Sequence, residues 1–137
     1  MKKIKLITSV LFLSFLILIL ASCKKDPGRL PTISFKSGTG YTSSDVSLAK
    51  NTAFKIGIDA AKSEEEDVLK TFNISVTYDG GTSSTAYTAT LTSAQEDNFS
   101  YDFVGTTRNQ AGTEKYSFTI TNRDGLINTV TLTLTVL

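Results

Sequence analysis

Apolar and polar side chains alternate with a period of two along most of the chain from residue 32 to the C-terminus. Such alternation places the apolar side chains on one face of a β-strand and leaves the other face to polar residues, of which threonine suits a pleated surface best. Eight short runs show the pattern. Their apolar positions are Ile33 and Phe35; Val46 and Leu48; Phe54, Ile56, Ile58 and Ala60; Phe72, Ile74, Val76 and Tyr78; Tyr87, Ala89 and Leu91; Phe99, Tyr101 and Phe103; Tyr116, Phe118 and Ile120; and Val130, Leu132, Leu134 and Val136.

Short strands with one apolar face each must bury those faces against one another, which favours a sandwich of two sheets. The sequence therefore predicts an all-β domain of about seven to eight strands over residues 32–137. Helical spacing occurs only in the acidic stretch near residues 60–69, and it allows a short helical turn at residues 61–68. A packed helix at that place would change the predicted class to α+β.

The end of the chain resembles a known group of modules. Residues 112–125 read GTEKYSFTITNRDG, and threonine-rich alternation follows to Leu137. This segment is similar to the last two strands of bacterial immunoglobulin-like (Ig-like) modules, including those of the polycystic-kidney-disease type. The resemblance implies an Ig-like sandwich in which Tyr116 is a corner tyrosine whose hydroxyl bonds nearby backbone.

The N-terminus has the features of a secretory signal. A short basic segment that contains Lys2, Lys3 and Lys5 precedes an apolar run that extends from Leu6 to Leu20. The following Leu20-Ala21-Ser22-Cys23 resembles the lipobox of bacterial lipoproteins, in which the peptide is cut before the cysteine and the thiol carries lipid. Residues 1–22 are therefore predicted to be a signal peptide and Cys23 the lipidated residue.

A charged segment with two prolines, residues 23–31, is predicted to be a tether. Diacyl anchoring through Cys23 is strong enough to hold a protein at a membrane. We therefore expect a protein anchored by lipid to the outer membrane of a Gram-negative bacterium, on its periplasmic face or at the cell surface. Whether Lys24-Lys25-Asp26 is a surface-sorting signal or a simple spacer stays open.

Composition excludes several functions. Removing residues 1–22 leaves eleven basic and thirteen acidic side chains, a formal charge near −2, which argues against nucleic acid as a partner. The chain has no histidine, the commonest general base and metal ligand, and its one cysteine is the predicted lipid site. No nucleotide-binding or hydrolase motif is present. We therefore expect no enzyme activity and no cofactor apart from the covalent lipid.

One acidic cluster, Glu64, Glu65, Glu66 and Asp67, is the candidate metal site. Calcium takes six to eight oxygen ligands, many of them carboxylates. Consecutive side chains point in different directions, however, so four adjacent acids rarely converge on one ion. The alternative is a solvated connection between two strands.

Two tyrosines are candidate ligand-binding residues, because exposed aromatic rings can stack on sugars. Tyr41 follows Gly40 in a predicted loop, and Tyr101 lies in a three-ring run with Phe99 and Phe103 that would be exposed on an edge strand. For most aromatic residues here, a place in the core is the alternative.

Taken together, the sequence predicts a non-catalytic, membrane-tethered binding or structural module of the cell envelope. Its contact surface would be the loops at residues 36–44, 61–68 and 106–113. A carbohydrate-binding accessory of a surface glycan system is the second hypothesis. An inhibitor or assembly factor for an envelope enzyme is the third, and the partner is an unidentified protein or glycan.

Overall fold

The computed structural model describes residues 28–137. The predicted signal peptide and Cys23 lie outside the described residues, so both stay predictions. The described part contains eight strands and a short 3-10 turn at Ser93–Gln95. The strands are β1 (Thr32–Phe35), β2 (Val46–Leu48), β3 (Ala53–Ala61), β4 (Leu69–Tyr78), β5 (Ser83–Thr90), β6 (Asn98–Thr106), β7 (Gly112–Asn122) and β8 (Ile127–Val136).

These strands form two sheets. The first has the order β1-β3-β6 and the second the order β2-β8-β7-β4-β5. Neighbouring strands are antiparallel except β2 and β8, which run parallel. The predicted all-β, two-sheet Ig-like sandwich is therefore confirmed, and all eight alternating runs become strands.

The core lies between the sheets and consists of most apolar residues of the alternating runs together with Leu69, whereas Val46 and Tyr78 are exposed. Phe72 of β4 is fully buried, and its ring centroid lies 5.0 Å from that of Phe99 and 5.5 Å from that of Tyr101 on the opposite sheet. Aromatic pairs at such distances add stability beyond the area that they bury. The other buried apolar residues are Ile33, Phe54, Ile56, Ile58, Ala60, Leu69, Ile74, Val76, Leu91, Tyr116, Phe118, Ile120, Leu132, Leu134 and Val136.

No helix forms at residues 61–68. Ala61 ends β3, and the following segment makes a single turn in which the Asp67 N–H donates to the Glu64 carbonyl at 3.2 Å. Asp67 then points inward, and one carboxylate oxygen accepts the Val68 N–H while the other accepts the Asn122 side-chain amide. A helix would point Asp67 away from Asn122, so this buried contact favours the turn.

The sheet edges differ in length and chemistry. One edge of each sheet is a short strand, β1 or β2, whereas the other edges are the longer β6 and β5. β5 contains no charged residue and no proline, and a bulge interrupts its pairing with β4 opposite Ile74 and Ser75. Between residues 28 and 137 there is no helix of the length and hydropathy needed to cross a membrane.

Candidate binding face

The outer face of the three-stranded sheet carries the most elaborate arrangement of surface side chains. Cross-strand pairing aligns its outward side chains in rows, because alternate residues of each strand point away from the core. We call this surface the Tyr41 face. It consists of Thr32, Ser34, Lys36, Tyr41, Lys55, Gly57, Asp59, Ala61, Asn98, Ser100, Asp102 and Val104.

Tyr41 reaches this face through an excursion of the chain beside β3. The Lys36 N–H donates to the Gly57 carbonyl at 2.9 Å, and the Thr42 N–H donates to the Lys55 carbonyl at 2.7 Å. The residues between these two contacts loop outward and return the Tyr41 side chain over the middle of β3. The excursion therefore fixes Tyr41 on the sheet instead of leaving it in a free loop.

A glycine in β3 makes the space that Tyr41 needs. A Cβ atom on Gly57 would lie 2.6 Å from the Tyr41 ring and 2.6 Å from the Lys36 side chain. Real Cβ atoms do not approach other heavy atoms that closely. Since glycine inside a strand weakens it, a mid-strand glycine often marks a close approach of this kind.

The Tyr41 hydroxyl belongs to a three-residue cluster. It donates to Asp102 Oδ2 at 2.9 Å, and Lys36 Nζ donates to Asp102 Oδ1 at 2.7 Å. The hydrogen bonds from Lys36 and Tyr41 hold the pKa of the Asp102 carboxyl below its ordinary value, and the bond to Asp102 raises the pKa of Lys36. The carboxylate is therefore ionised at neutral pH and holds both partners in place.

Lys55 lies over the ring of Tyr41 and contacts the cluster there. Its ammonium lies 4.3 Å from the centroid of Tyr41, within the range of a cation–π interaction. The ring of Tyr41 is consequently half-buried and engaged at its hydroxyl and over its ring. Tyr41 is therefore a fixed element of the face and not a freely exposed stacking platform.

Two open depressions lie on either side of Tyr41. The first, of about 310 Å³, is lined by Thr32, Ser34, Asp59, Ala60, Ala61, Asn98, Phe99 and Ser100. The second, of about 470 Å³, is lined by Gly40, Tyr41, Thr42, Ala53, Phe54, Lys55 and Val104. Tyr41 thus separates two neighbouring hollows on one sheet face.

Each hollow contains one charged side chain that forms no direct ion pair with the described residues. The Asp59 side chain, which lines the first hollow, makes no hydrogen bond or ion pair with the described residues and interacts with Lys36 only at longer range. Ser34 and Ser100 stand beside it on the neighbouring strands. Lys55, at the second, touches the Tyr41 ring and has no carboxylate within 4.0 Å among the described residues. Most other acids in the described residues are paired, so these two groups are left available for a ligand.

The structure places Tyr101 elsewhere. β6 is an edge strand, as the hypothesis of an exposed ring required, but Tyr101 points into the sandwich. Its ring stacks on Tyr87 with centroids 4.7 Å apart and contacts Phe72. Burial raises the pKa of its hydroxyl. Tyr101 is therefore a core residue at the margin of the sandwich and lies apart from the Tyr41 face.

The four acids proposed as a calcium site do not converge. Glu64 lies 3.9 Å from Arg29, Glu65 and Glu66 are exposed, and Asp67 is buried with both of its oxygens hydrogen-bonded to protein groups. Within residues 28–137 no three acidic side chains come together in a way that could hold a metal ion. The cluster therefore functions as a turn with one structural carboxylate.

The three predicted contact loops do not share one end of the sandwich. Residues 106–113 lie at the end where the Asp79 and Arg108 side chains meet, whereas residues 36–42 lie along β3 beside Lys55 and Gly57. The loop at residues 61–68 lies at the opposite end, where the Val68 carbonyl accepts the Arg123 N–H. The three loops therefore do not form one continuous surface, and we take the outer face of the three-stranded sheet as the candidate site.

A buried carboxylate organises the end that holds residues 106–113. Glu114 is fully buried, and its Oε1 accepts the Arg108 N–H at 2.8 Å and the Arg108 guanidinium at 3.2 Å. The Tyr116 hydroxyl donates to its Oε2 at 3.0 Å. The predicted corner contact of Tyr116 with backbone is therefore wrong, because the Glu114 carboxylate lies between the hydroxyl and the loop.

We expect alkaline pH to destabilise the protein through Tyr116. Burial, followed by the neighbouring Glu114 charge, raises the pKa of this hydroxyl above its ordinary value of 10.0. In the unfolded chain tyrosine ionises at about pH 10, so above that pH the unfolded state loses a proton that the folded state keeps, and stability falls. Free energies of unfolding measured from about pH 9 to about pH 11 should show this decline.

The Tyr116→Phe variant provides the comparison. Its stability should fall less steeply over the same range, with the remaining slope due in part to Tyr101, whose pKa is also raised. Equal slopes for the two proteins would contradict the assignment.

Fold and face together define an Ig-like β-sandwich with one organised sheet surface. No known protein family and no curated protein matches the chain. Among solved structures it is similar to a superoxide reductase (neelaredoxin) from Ignicoccus hospitalis, with a TM-score of 0.55 and 6% identity over 80% of this chain and 81% of that chain. It is also similar to the CARDB domain of a Pyrococcus furiosus protein, solved in complex with di-metal ions, with a TM-score of 0.47 and 12% identity over 85% of this chain and 100% of that one. At such low identity the likeness to the reductase shows a shared fold and nothing about activity.

Sequence reasoning singled out Tyr41 as an exposed ring in a loop, but it missed the residues that hold this side chain on the sheet. Asp59 and Asp102 look like ordinary solvent-facing positions of alternating strands, and Lys36 looks like a loop residue. One signal was present: Gly57 interrupts the polar phase of β3, where a larger residue would be expected. The partner that required this glycine lies sixteen residues earlier in the chain and could not be read from local pattern.

Proposed function

We propose that the protein is a non-catalytic binding module of the cell envelope, held at the membrane by lipid on Cys23, and that the Tyr41 face is its contact surface. The observation that carries this proposal is the fixed cluster of Tyr41, Lys36 and Asp102 between two hollows with unpaired charges. A rigid surface binds with little loss of conformational freedom. The absence of histidine from the whole chain supports a binding role over a catalytic one.

The outer face of the five-stranded sheet offers an internal contrast. Its outward positions are mostly threonine and serine, such as Thr71, Ser75, Thr119, Thr129 and Thr131. These residues suit a solvated pleated surface and form no comparable cluster with charged groups. Binding chemistry is thus concentrated on one sheet, which supports the choice of the Tyr41 face.

The tether contacts the domain at the end that carries the acidic turn. The Ser63 hydroxyl donates to the Leu30 carbonyl at 2.5 Å, and the Asn128 side chain donates to the Pro31 carbonyl at 2.8 Å. An anchor at Cys23 would therefore attach close to that end. The Tyr41 face, which runs along the side of the sandwich, would stay accessible to a partner in the envelope.

Photo-crosslinking in intact cells tests the proposal. A photoreactive amino acid placed at Ser100 or Val104, which are exposed on the Tyr41 face, should give discrete crosslinked products. The same group at Thr71 or Thr131, exposed on the other sheet, provides the matched control. Equal labelling from both faces, or labelling only from the control positions, would overturn the choice of surface.

The same cells test the anchor. Wild-type protein should label with a fatty-acid analogue and remain with the membrane fraction, whereas the Cys23→Ala variant should lose both properties. A crosslinked envelope enzyme would support the role of inhibitor or assembly factor. A crosslinked polysaccharide would support the carbohydrate-binding role, which the two hollows favour specifically.

A further inference from the structure

We propose that the Tyr41 face binds a linear glycan laid along β3, with sugar hydroxyls at Asp59 and an acidic sugar substituent at Lys55. This inference rests on the proposed function, because it names the ligand of the same surface. It is carried by the placement of two side chains of opposite charge, neither in a direct ion pair, on either side of a fixed aromatic residue.

The first hollow has the chemistry of a sugar-hydroxyl site. An ionised carboxylate accepts hydrogen bonds from two hydroxyl groups at once, and such charge-assisted bonds are stronger than neutral ones. Ser34 and Ser100 pair with Asp59 on the neighbouring strands and can donate or accept. Asn98 lines the same hollow and adds an amide. A ligand with many hydroxyls satisfies all of these groups together.

This hollow exists because alanine side chains, which are small, line part of it. Ala61 and Ala60 lie beneath it, and Phe99 contributes an apolar part of the lining. A sugar ring likewise has apolar C–H faces between its hydroxyls. The combination of a carboxylate, hydroxyls, an amide and apolar carbon matches such a ring better than it matches a bare cation, which would require several converging oxygens.

The second hollow has the opposite charge. Lys55 presents an ammonium that contacts the Tyr41 ring and has no carboxylate within 4.0 Å among residues 28–137, since Asp102 acts on it only at longer range. Val104, 68% exposed, forms part of the wall beside it. An ammonium next to an apolar wall suits a carboxylate-bearing sugar, since the carboxylate supplies a direct ion-pair partner and the ring covers the valine.

The spacing of the two groups requires an extended ligand. Asp59 and Lys55 are four residues apart on one strand and point to the same side, so their Cα atoms are about 13 Å apart. A single sugar ring is too short to reach both groups. A linear chain of several sugars can reach both and pass over Tyr41, whose position is fixed by Asp102 and Gly57.

Direct binding measurements test the inference. The full chain, purified in detergent, is titrated with short linear oligosaccharides of equal length, one neutral and one containing uronate residues. Wild type should bind both and prefer the acidic one. Asp59→Ala should weaken binding to both by about tenfold, the loss expected for a charge-assisted hydrogen bond.

Lys55→Gln should remove only the preference for the acidic oligosaccharide. Added salt should reduce that preference in the wild type as well, because it screens exposed charges. Glu66→Ala and Lys115→Gln provide the matched controls, since both residues are exposed and lie off the face. Neither control should change the affinity for either oligosaccharide.

The possible outcomes separate this inference from the proposed function. No binding of either oligosaccharide by the wild type, or binding that Asp59→Ala leaves intact, overturns the glycan site. If the Tyr41 face nevertheless crosslinks to an envelope protein in cells, the binding function stands and only the ligand class is wrong. If neither experiment detects a partner on this face, both proposals fail.

Discussion

Replacement of Phe72 by alanine is expected to lower the free energy of unfolding by about 3–5 kcal/mol, within the range found for buried phenylalanine in other proteins. Phe72 is fully buried and contacts rings from both sheets, among them Phe99, Tyr101 and Phe118. Removal of its ring leaves a cavity at the point where the sheets meet. The chain has no cysteine in the described residues that could compensate through a disulfide.

Urea denaturation followed by circular dichroism measures this effect. Phe72→Leu, which keeps most of the volume, should cost clearly less than Phe72→Ala. Val104→Ala, at a position 68% exposed, serves as the control and should change stability by less than about 0.5 kcal/mol. Equal losses for Phe72→Ala and Val104→Ala would show that Phe72 does not hold the sheets together.

Glu114→Ala is expected to cost about 3 kcal/mol, because it removes a buried carboxylate that three donors share. The Arg108 N–H and the Tyr116 hydroxyl would lose their acceptor inside the protein. An unsatisfied buried donor costs about 1–3 kcal/mol, so two of them account for most of the effect. The Arg108 side chain would keep its contacts with Asp79 at 3.0 Å and 3.2 Å.

Two further variants make this prediction specific. Glu114→Gln keeps the shape and one acceptor oxygen, so its loss of stability should be smaller than that of Glu114→Ala. Glu66→Ala removes an exposed acid without a partner and should have almost no effect. A loss for Glu114→Ala as small as that for Glu66→Ala would mean that the network does not stabilise the fold.

Alternation along the chain was sufficient to locate the strands and most of their buried positions, with Val46 and Tyr78 as exposed exceptions. A strand that is exposed on one side repeats its environment every two residues, so its apolar side chains alternate with polar ones. The buried positions Phe54, Ile56 and Ile58 of β3 show this period. The same pattern carries no information on which strands are neighbours. The parallel pairing of β2 with β8, for example, depends on where residues 36–45 cross from one sheet to the other, which is decided by distant contacts.

The candidate site was harder to predict for a related reason. Tyr41 stood out because it lies outside the alternating runs, whereas Tyr101 occupies the apolar phase and accordingly packs inside. The acidic run gave no sign that Asp67 is buried, because its partner Asn122 is 55 residues away in sequence. The charges that matter for the proposed ligand, at Asp59 and Lys55, are distinguished only by the absence of partners, which is a property of the folded structure.

The open edge of β5 has a consequence for how the protein behaves in concentrated samples. A strand edge with unpaired backbone groups is a template for another chain, and natural proteins usually protect such edges with charge or proline. From Ser83 to Thr90, β5 has no charged residue and no proline. The bulge in its pairing with β4 is the one protective feature along this strand. Crowding of many copies on a membrane or in a crystallisation drop will therefore favour association of molecules through their β5 edges. The Thr88→Lys substitution is the simplest change that opposes this association.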